Sequence, residues 1–203
     1  MLALFILLGY LIGGIPFAVP VVLLLRGLDV RATGSGNVGA RNSLRVGGPL
    51  AGASVLLLDA LKAALPMLLA RSLHADPWSV MAIGVGVVLG HCYSPYMIVQ
   101  ALRQPWPGWR TASVRVGGQG LASGLGLIAV LAPLLVAPVL LLGAVFVFGL
   151  KRDVAAGVVM VLVAPPAALL TGYPASASVG LALGALIVFS KLLQDIIPEA
   201  RTS

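Results

Sequence analysis

Apolar residues run along this chain in long blocks separated by short polar gaps, with no alternation of period two and no one-sided helical stripe. Residues 2–25, 50–70, 78–100, 121–150, 154–170 and 176–192 are nearly all apolar. About 20 apolar residues are needed for a helix to cross a ~30 Å hydrocarbon core. The pattern therefore predicts an all-α integral membrane protein, with residues 1–203 forming a single polytopic membrane domain. Gly13, Gly14, Pro16 and Pro20 predict a kink in the first span, which neighbouring helices can accommodate by satisfying the freed backbone groups. The run 121–150 is too long for one upright span. It fits either one long tilted helix or two short ones broken near Pro133 or Pro138.

Charge placement bears on that choice. Arg26, Arg31, Arg41 and Arg45 cluster in the first polar gap, and Arg103, Arg110 and Arg115 in a later one. Under the positive-inside rule both gaps lie in the cytoplasm. Two crossings by 121–150 then bring Lys151, Arg152, Lys191 and Arg201 inside as well. The favoured reading is about seven transmembrane helices, some short or kinked, with the N-terminus out and the C-terminus in.

Composition agrees with a membrane protein: 60% of the 203 residues are hydrophobic and 9% charged, with mean hydropathy +1.08, whereas soluble domains are about a quarter charged. The net charge of +7 would point to nucleic acid in a soluble chain. Here the basic residues sit between apolar blocks, so it reads as topology and contact with anionic membrane lipids, and no nucleic acid is expected. Cys92 is a single cysteine, which excludes an internal disulfide, and two histidines with no cysteine cluster give no metal signature. The N-terminal run lacks a basic leader region and is long enough to span, so no cleavable signal is read there. The sequence carries no signal for oligomeric state.

The polar gaps contain the chemistry. Gly34-Ser35-Gly36-Asn37-Val38-Gly39-Ala40-Arg41-Asn42, with Arg45 beyond it, can turn several backbone N–H groups toward one point and add guanidinium forks suited to phosphate. A second glycine turn, Gly117-Gly118-Gln119-Gly120, lies in the later gap. Asp59 and Lys62 stand at i, i+3 inside an apolar span, where pairing lowers the cost of both charges and such residues are candidates for function. His91 follows Gly90 near the end of the third span, and Trp106 and Trp109 read as interfacial anchors. On the proposed topology these groups converge on the cytoplasmic face.

Taken in order, Gly34–Arg45, Asp59-x-x-Lys62, Gly90-His91 with Pro95, and Gly117-Gly118-Gln119-Gly120-Leu121-Ala122-Ser123 resemble the bacterial acyl-phosphate:glycerol-3-phosphate acyltransferase family over nearly the whole chain. The resemblance implies a seven-helix enzyme of the bacterial plasma (inner) membrane with its active site facing the cytoplasm. Its partners would be acyl-phosphate and glycerol 3-phosphate, its products lysophosphatidic acid and phosphate, and neither a nucleotide cofactor nor a metal is implied. Carried over by position, Ser35, Arg45, Gln119 and Lys191 are the expected catalytic positions. Gly34, Gly36, Asn37, Gly39, Arg41, Asn42, Lys62, Gly117, Gly118, Gly120, Arg152 and Gln194 are the expected substrate and phosphate contacts. Three positions depart from the family pattern. Arg41 stands where the family usually has Thr, Gln119 replaces its Lys, and Lys191-x-x-Gln194 replaces its His-x-x-Asn. Acyl-phosphate is already activated, so positioning and charge stabilisation suffice, and Ser35 reads as a hydrogen-bond donor rather than a nucleophile. The altered motifs also fit a second class, a family member turned lipid or organic-anion binder or carrier.

Overall fold

The computed structural model describes residues 1–103, 116–145 and 153–196, the side chains of 144, 153–161 and 194–196 excepted. Every regular element among the described residues is helical. Among the described residues, four stretches are long and apolar enough to cross a membrane: Leu2–Arg26, Pro49–Ser72, Pro77–Leu102 and Ala175–Leu193.

The first stretch is kinked as its glycines and prolines predict. Helix α1 (Leu2–Gly13) stops before Pro16, and α2 (Ala18–Arg26) resumes beyond it. The carbonyls freed at the break take donors from other helices. Ser94 Oγ donates to Gly14 O at 2.6 Å, and Lys62 Nζ donates to Ile15 O at 3.0 Å. After the first polar gap come a short helix α3 (Ala40–Gly47) and the long α4 (Pro49–Ser72), started by Pro49 at its first position. Arg26 Nε donates to Gly47 O at 3.0 Å, tying the end of α2 to the end of α3.

The third apolar run departs from a continuous 78–100 helix. Helix α5 (Pro77–Cys92) ends at Tyr93, and α6 (Pro95–Leu102) begins after Ser94. Pro95 has no N–H and disfavours helical geometry in the residue before it, so Ser94 is extended and caps α6 with its hydroxyl, an interruption at the end of an apolar run. Run 121–150 is two helices, α7 (Leu121–Leu131) and α8 (Val136–Ala144), separated by Ala132 and a 3₁₀ turn at Pro133–Leu135. That break rules out one continuous tilted helix across this run. Helices α9 (Asp153–Leu170) and α10 (Ala175–Ile196) are the last among the described residues.

Helix α5 is the core of the assembly and is buried over nearly its whole length. It meets α1 through interlocked glycines. A Cβ on Gly9 would lie 2.2 Å from Ile83 O, and one on Gly90 would lie 2.0 Å from Tyr10 O. Backbones so close leave room only for hydrogen, which is how helices associate where lipid offers no hydrophobic drive. Outward-facing positions such as Leu24, Leu57, Leu69 and Leu170 stay exposed and apolar, because their solvent is lipid and not water. This is why the sequence shows no amphipathic stripe.

Candidate active site

The first glycine loop makes its own shape. Gly34 and Gly36 have φ of 63° and 73°, a region that costs residues with a Cβ. At Gly34 a Cβ would also lie 2.3 Å from Asn42 Oδ1. Asn42, buried on α3, staples the loop from within. Its Oδ1 accepts from Ser35 N at 3.0 Å, and its Nδ2 donates to Val30 O, Thr33 O and Asn37 O at 3.0–3.1 Å. Every polar atom of the Asn42 side chain is thus engaged with the loop. Outside it, Arg31 donates to both carboxylate oxygens of Asp29 and to Gln100 Oε1 at 2.8 Å, latching the loop to α6. Hydrogen bonds from the guanidinium hold the Asp29 carboxyl below the usual carboxylate range.

The second turn is shaped by its neighbours. Ser94 N donates to Val116 O at 2.7 Å, and Gly118 N donates to His91 O at 2.9 Å. A Cβ on Gly117 would lie 2.2 Å from Cys92 O, and one on Gly118 would lie 2.2 Å from His91 Nε2. The turn is wedged beneath the end of α5, and Gly120, at φ 87°, leads into α7.

Between the two turns lies a buried charge cluster. Asp59 and Lys62 are 1% and 6% exposed, with Lys62 Nζ 2.7 Å from Asp59 Oδ1. Lys62 also lies 5.7 Å from the centroid of the Phe17 ring. His91 Nδ1 is 3.5 Å from the same Asp59 oxygen. The third contributor is α10, where Lys191 is buried with Nζ 5.1 Å from the Tyr93 ring centroid. Tyr93 OH and Ser190 Oγ lie 2.9 Å apart, joining α10 to the end of α5.

These elements enclose a cavity of about 440 Å³. Among the residues expected from the sequence, Ser35, Asn37, Gly39, Arg41, Asn42, Arg45, Gln119 and Gly120 line it. Gly34, Gly36, Gly117 and Gly118 shape the two turns behind the lining. Lys62 turns away toward the α1–α2 break, and Lys191 lies against Tyr93, outside the lining. Arg152 lies outside the described residues, as do Trp106, Trp109, Arg110 and Arg115; Gln194 is on α10, its side chain outside the description.

The lining also includes Asp59, His91, Leu56, Leu121 and Ala122, which the sequence did not assign to substrate. Asp59 and His91 had a visible signal, being ionisable groups inside or at the end of apolar runs. Leu121 and Ala122 appeared only as the tail of the second motif, and Leu56 had no signal. They matter because Leu56, Leu121 and Ala122 also line a second, apolar hollow of about 170 Å³. That hollow runs on between α7, α8, α9 and α10 past Ile128, Val139, Ala164 and Leu181. A polar, cationic chamber therefore adjoins a greasy one.

A family model described as glycerol-3-phosphate acyltransferase matches residues 3–197. The glycerol-3-phosphate acyltransferase of Rubrobacter xylanophilus is 35% identical over 171 residues, covering 84% of this chain and 77% of that protein. That of Myxococcus xanthus is 46% identical over 129 residues, covering 63% of this chain and 59% of that protein; the match thus spans less than two thirds of the relative's length, as does a 45% match in Anaeromyxobacter dehalogenans, at 56% of that protein. Two crystal structures of PlsY, an integral membrane glycerol 3-phosphate acyltransferase, share the fold. The glycerol 3-phosphate form superposes with a TM-score of 0.78 at 26% identity, covering 96% of this chain and 90% of that one. The lysophosphatidic acid form gives 0.76 at 28% identity, covering 96% and 89%. With a helical membrane fold in common and a family match running almost end to end, the chain belongs to the glycerol-3-phosphate acyltransferase family.

Proposed function

We propose that this protein transfers a fatty acyl group from acyl-phosphate to the 1-hydroxyl of glycerol 3-phosphate, giving lysophosphatidic acid and inorganic phosphate. The observation that carries the reading is the junction of the two chambers. A cavity lined by Ser35, Asn37, Arg41, Arg45 and Gln119 suits phosphate, and the hollow that adjoins it through Leu56, Leu121 and Ala122 suits a fatty chain. A molecule with a phosphorylated head and a long apolar tail fits such a junction. The forms in which the PlsY neighbour was crystallised, with glycerol 3-phosphate and with lysophosphatidic acid, support it as acceptor and product of the same reaction.

In this mechanism the protein binds and orients two phosphorylated substrates. Backbone N–H groups at the start of α3, with Arg41 and Arg45, neutralise phosphate. Ser35 and Gln119 donate hydrogen bonds, and Lys191 adds positive charge from α10. The glycines of both turns set the backbone paths, Asn42 holds the first turn, and Lys62 balances Asp59. Arg152 and Gln194 are assigned to the same phosphate site by family position. The acyl carbonyl lies at the chamber junction, where orientation alone can be worth several kcal/mol. The chemistry requires neither metal nor nucleotide. The concentration of arginines around the cavity supports a cytoplasmic opening at the bacterial plasma membrane, with the N-terminus out and the C-terminus in.

The test is phosphate release from palmitoyl-phosphate by the purified protein in lipid nanodiscs. Release should require glycerol 3-phosphate and should fall about 100-fold or more in Arg45→Ala, as expected for losing a charged donor at a developing charge. No acceptor-dependent release above the Arg45→Ala control would sink the enzyme reading and leave a binder or carrier.

A further inference from the structure

The apolar hollow is framed by α7 and α10, which run side by side in opposite directions. A Cβ on Gly120 would lie 2.9 Å from Val188 Cγ2, and one on Gly180 would lie 2.9 Å from Leu131 Cδ1. On α7 the face turned to the hollow carries Leu121, Gly124, Leu125 and Ile128, spaced i, i+3, i+4, i+7. The same spacing recurs between Leu181 and Val188 on α10. Leu121 is shared with the phosphate chamber and marks the mouth. Ile128 lies about 10 Å deeper along the helix, beside Val139 and Ala164, which are buried and close the far end. A membrane fatty chain reaches about 15 Å, half of a ~30 Å core, so the hollow is deep enough for most of one.

Both helices have glycine in the middle of this face, for different reasons. A Cβ on Gly184 would lie 2.7 Å from Leu127 Cδ2, so the packing of α10 on α7 accounts for that glycine. A Cβ on Gly124 would meet nothing within 4 Å, and the residue sits inside α7 without a positive φ. Gly27 and Gly172 also face open space, but their φ of 66° and 75° call for glycine. Glycine inside a helix is destabilising relative to alanine. At position 124 that cost brings neither a close contact nor a turn. It brings the open width of the hollow, between the mouth and the floor.

We propose that Gly124 is the specificity-determining residue for the acyl chain, its missing side chain admitting the chain of acyl-phosphate past the mouth of the hollow to the floor at Val139 and Ala164. This assignment rests on the acyltransferase reading above and adds to it the position that decides which donors fit. Lipid tails are as apolar as the hollow, so a chain gains little free energy by moving from one to the other. The hollow acts instead by direction. It leads the chain away from the chamber junction along one path, and the path fixes where the carbonyl lies. A side chain at position 124 closes that path to long chains and leaves room at the mouth for short ones.

The test is the graded series Gly124→Ala and Gly124→Leu, in lipid nanodiscs. Both residues favour a helix over glycine and enter open space, so neither variant should unfold at a lower temperature than the wild type. A lower unfolding temperature would show that the space is packed and would overturn the proposal. The readout is the ratio of kcat/KM for palmitoyl-phosphate to that for acetyl-phosphate, which has no chain to place. In Gly124→Leu the ratio should fall about 100-fold or more, as for a carbonyl displaced by about an ångström, with Gly124→Ala in between. A ratio in Gly124→Leu within about threefold of the wild type overturns the assignment. A second measurement needs no turnover. Hexadecyl phosphate should bind the wild type at least about tenfold more tightly than Gly124→Leu, as for bulk forced into filled space, while inorganic phosphate binds the two alike. Equal affinities for hexadecyl phosphate would overturn the proposal. Failure of the wild type to release phosphate would instead count against the acyltransferase reading, which the binding comparison does not use.

Discussion

The two glycine turns on either side of the cavity look alike in sequence and are built in opposite ways. The first, Gly34–Arg45, is held by a side chain of its own segment. Asn42 binds four backbone groups between residues 30 and 37. The second, Gly117–Gly120, has no such staple among the described residues and takes its path from α5, whose carbonyls and His91 ring leave space only for glycine. The first turn also carries two arginines in the lining, where the second offers Gln119. One turn is preformed by local chemistry and charged. The other is imposed by packing and neutral.

The largest test of that contrast is Asn42→Ala. It leaves one buried and three half-buried backbone groups without this partner, so thermal unfolding in detergent should show a loss of about 2–4 kcal/mol. Acceptor-dependent phosphate release should fall about 100-fold or more, as for a site displaced by an ångström. A stable, active Asn42→Ala would break the claim that the first turn holds itself. Next is Gly118→Ala, whose new methyl group would press on His91 and cost about 1–3 kcal/mol by overpacking. Adding His91→Ala should return most of that stability while activity stays low; no recovery would mean that the ring does not set the turn. Gln119→Lys sharpens the charge difference. The KM for a phosphorylated substrate should drop about tenfold, the lower end of what a charge-assisted bond adds, and initial rates against substrate concentration will read it.

The smallest effect belongs to the Asp29–Arg31 latch, which is largely exposed. Asp29→Asn should change unfolding by less than about 1 kcal/mol. The carboxyl titrates below its ordinary value of 3.8 when folded. Its contribution is therefore complete above that value and is lost as pH falls through the lower, folded one. The wild type should show this acid-side loss and Asp29→Asn should not, in unfolding curves taken across that range.

The same contrast explains what could be read from the chain. Block hydropathy was enough for a helical membrane protein, and Pro16 and Pro133 marked real breaks, whereas Pro20 and Pro138, offered for the same role, lie inside α2 and α8. The first turn was legible because glycines, Asn42 and the arginines lie within a dozen residues. Residues that line the cavity from elsewhere were harder to find. Asp59 and His91 stood out as charges in apolar surroundings and as parts of the motif series, Leu121 and Ala122 only as the tail of the second motif, while Leu56 looks like any other lipid-compatible residue. Their role comes from the approach of α4 to α7, where Gly126 meets Ala60 O so closely that a Cβ would lie 2.2 Å from it. The pairing of Lys62 with Asp59 was legible as an i, i+3 spacing and is present at 2.7 Å. Its second partner, the Ile15 carbonyl 47 positions away, has no signature in sequence.

The break between α1 and α2 has a consequence for how the chain is assembled in the membrane. Its exposed carbonyls at Gly14 and Ile15 find donors on Ser94 and Lys62, both well downstream. During synthesis the kinked segment leaves the ribosome before either partner exists. Until the third run arrives, those carbonyls need donors from water or from another protein. The break in the first span therefore reaches its final hydrogen bonding only after residues 62 and 94 have been made.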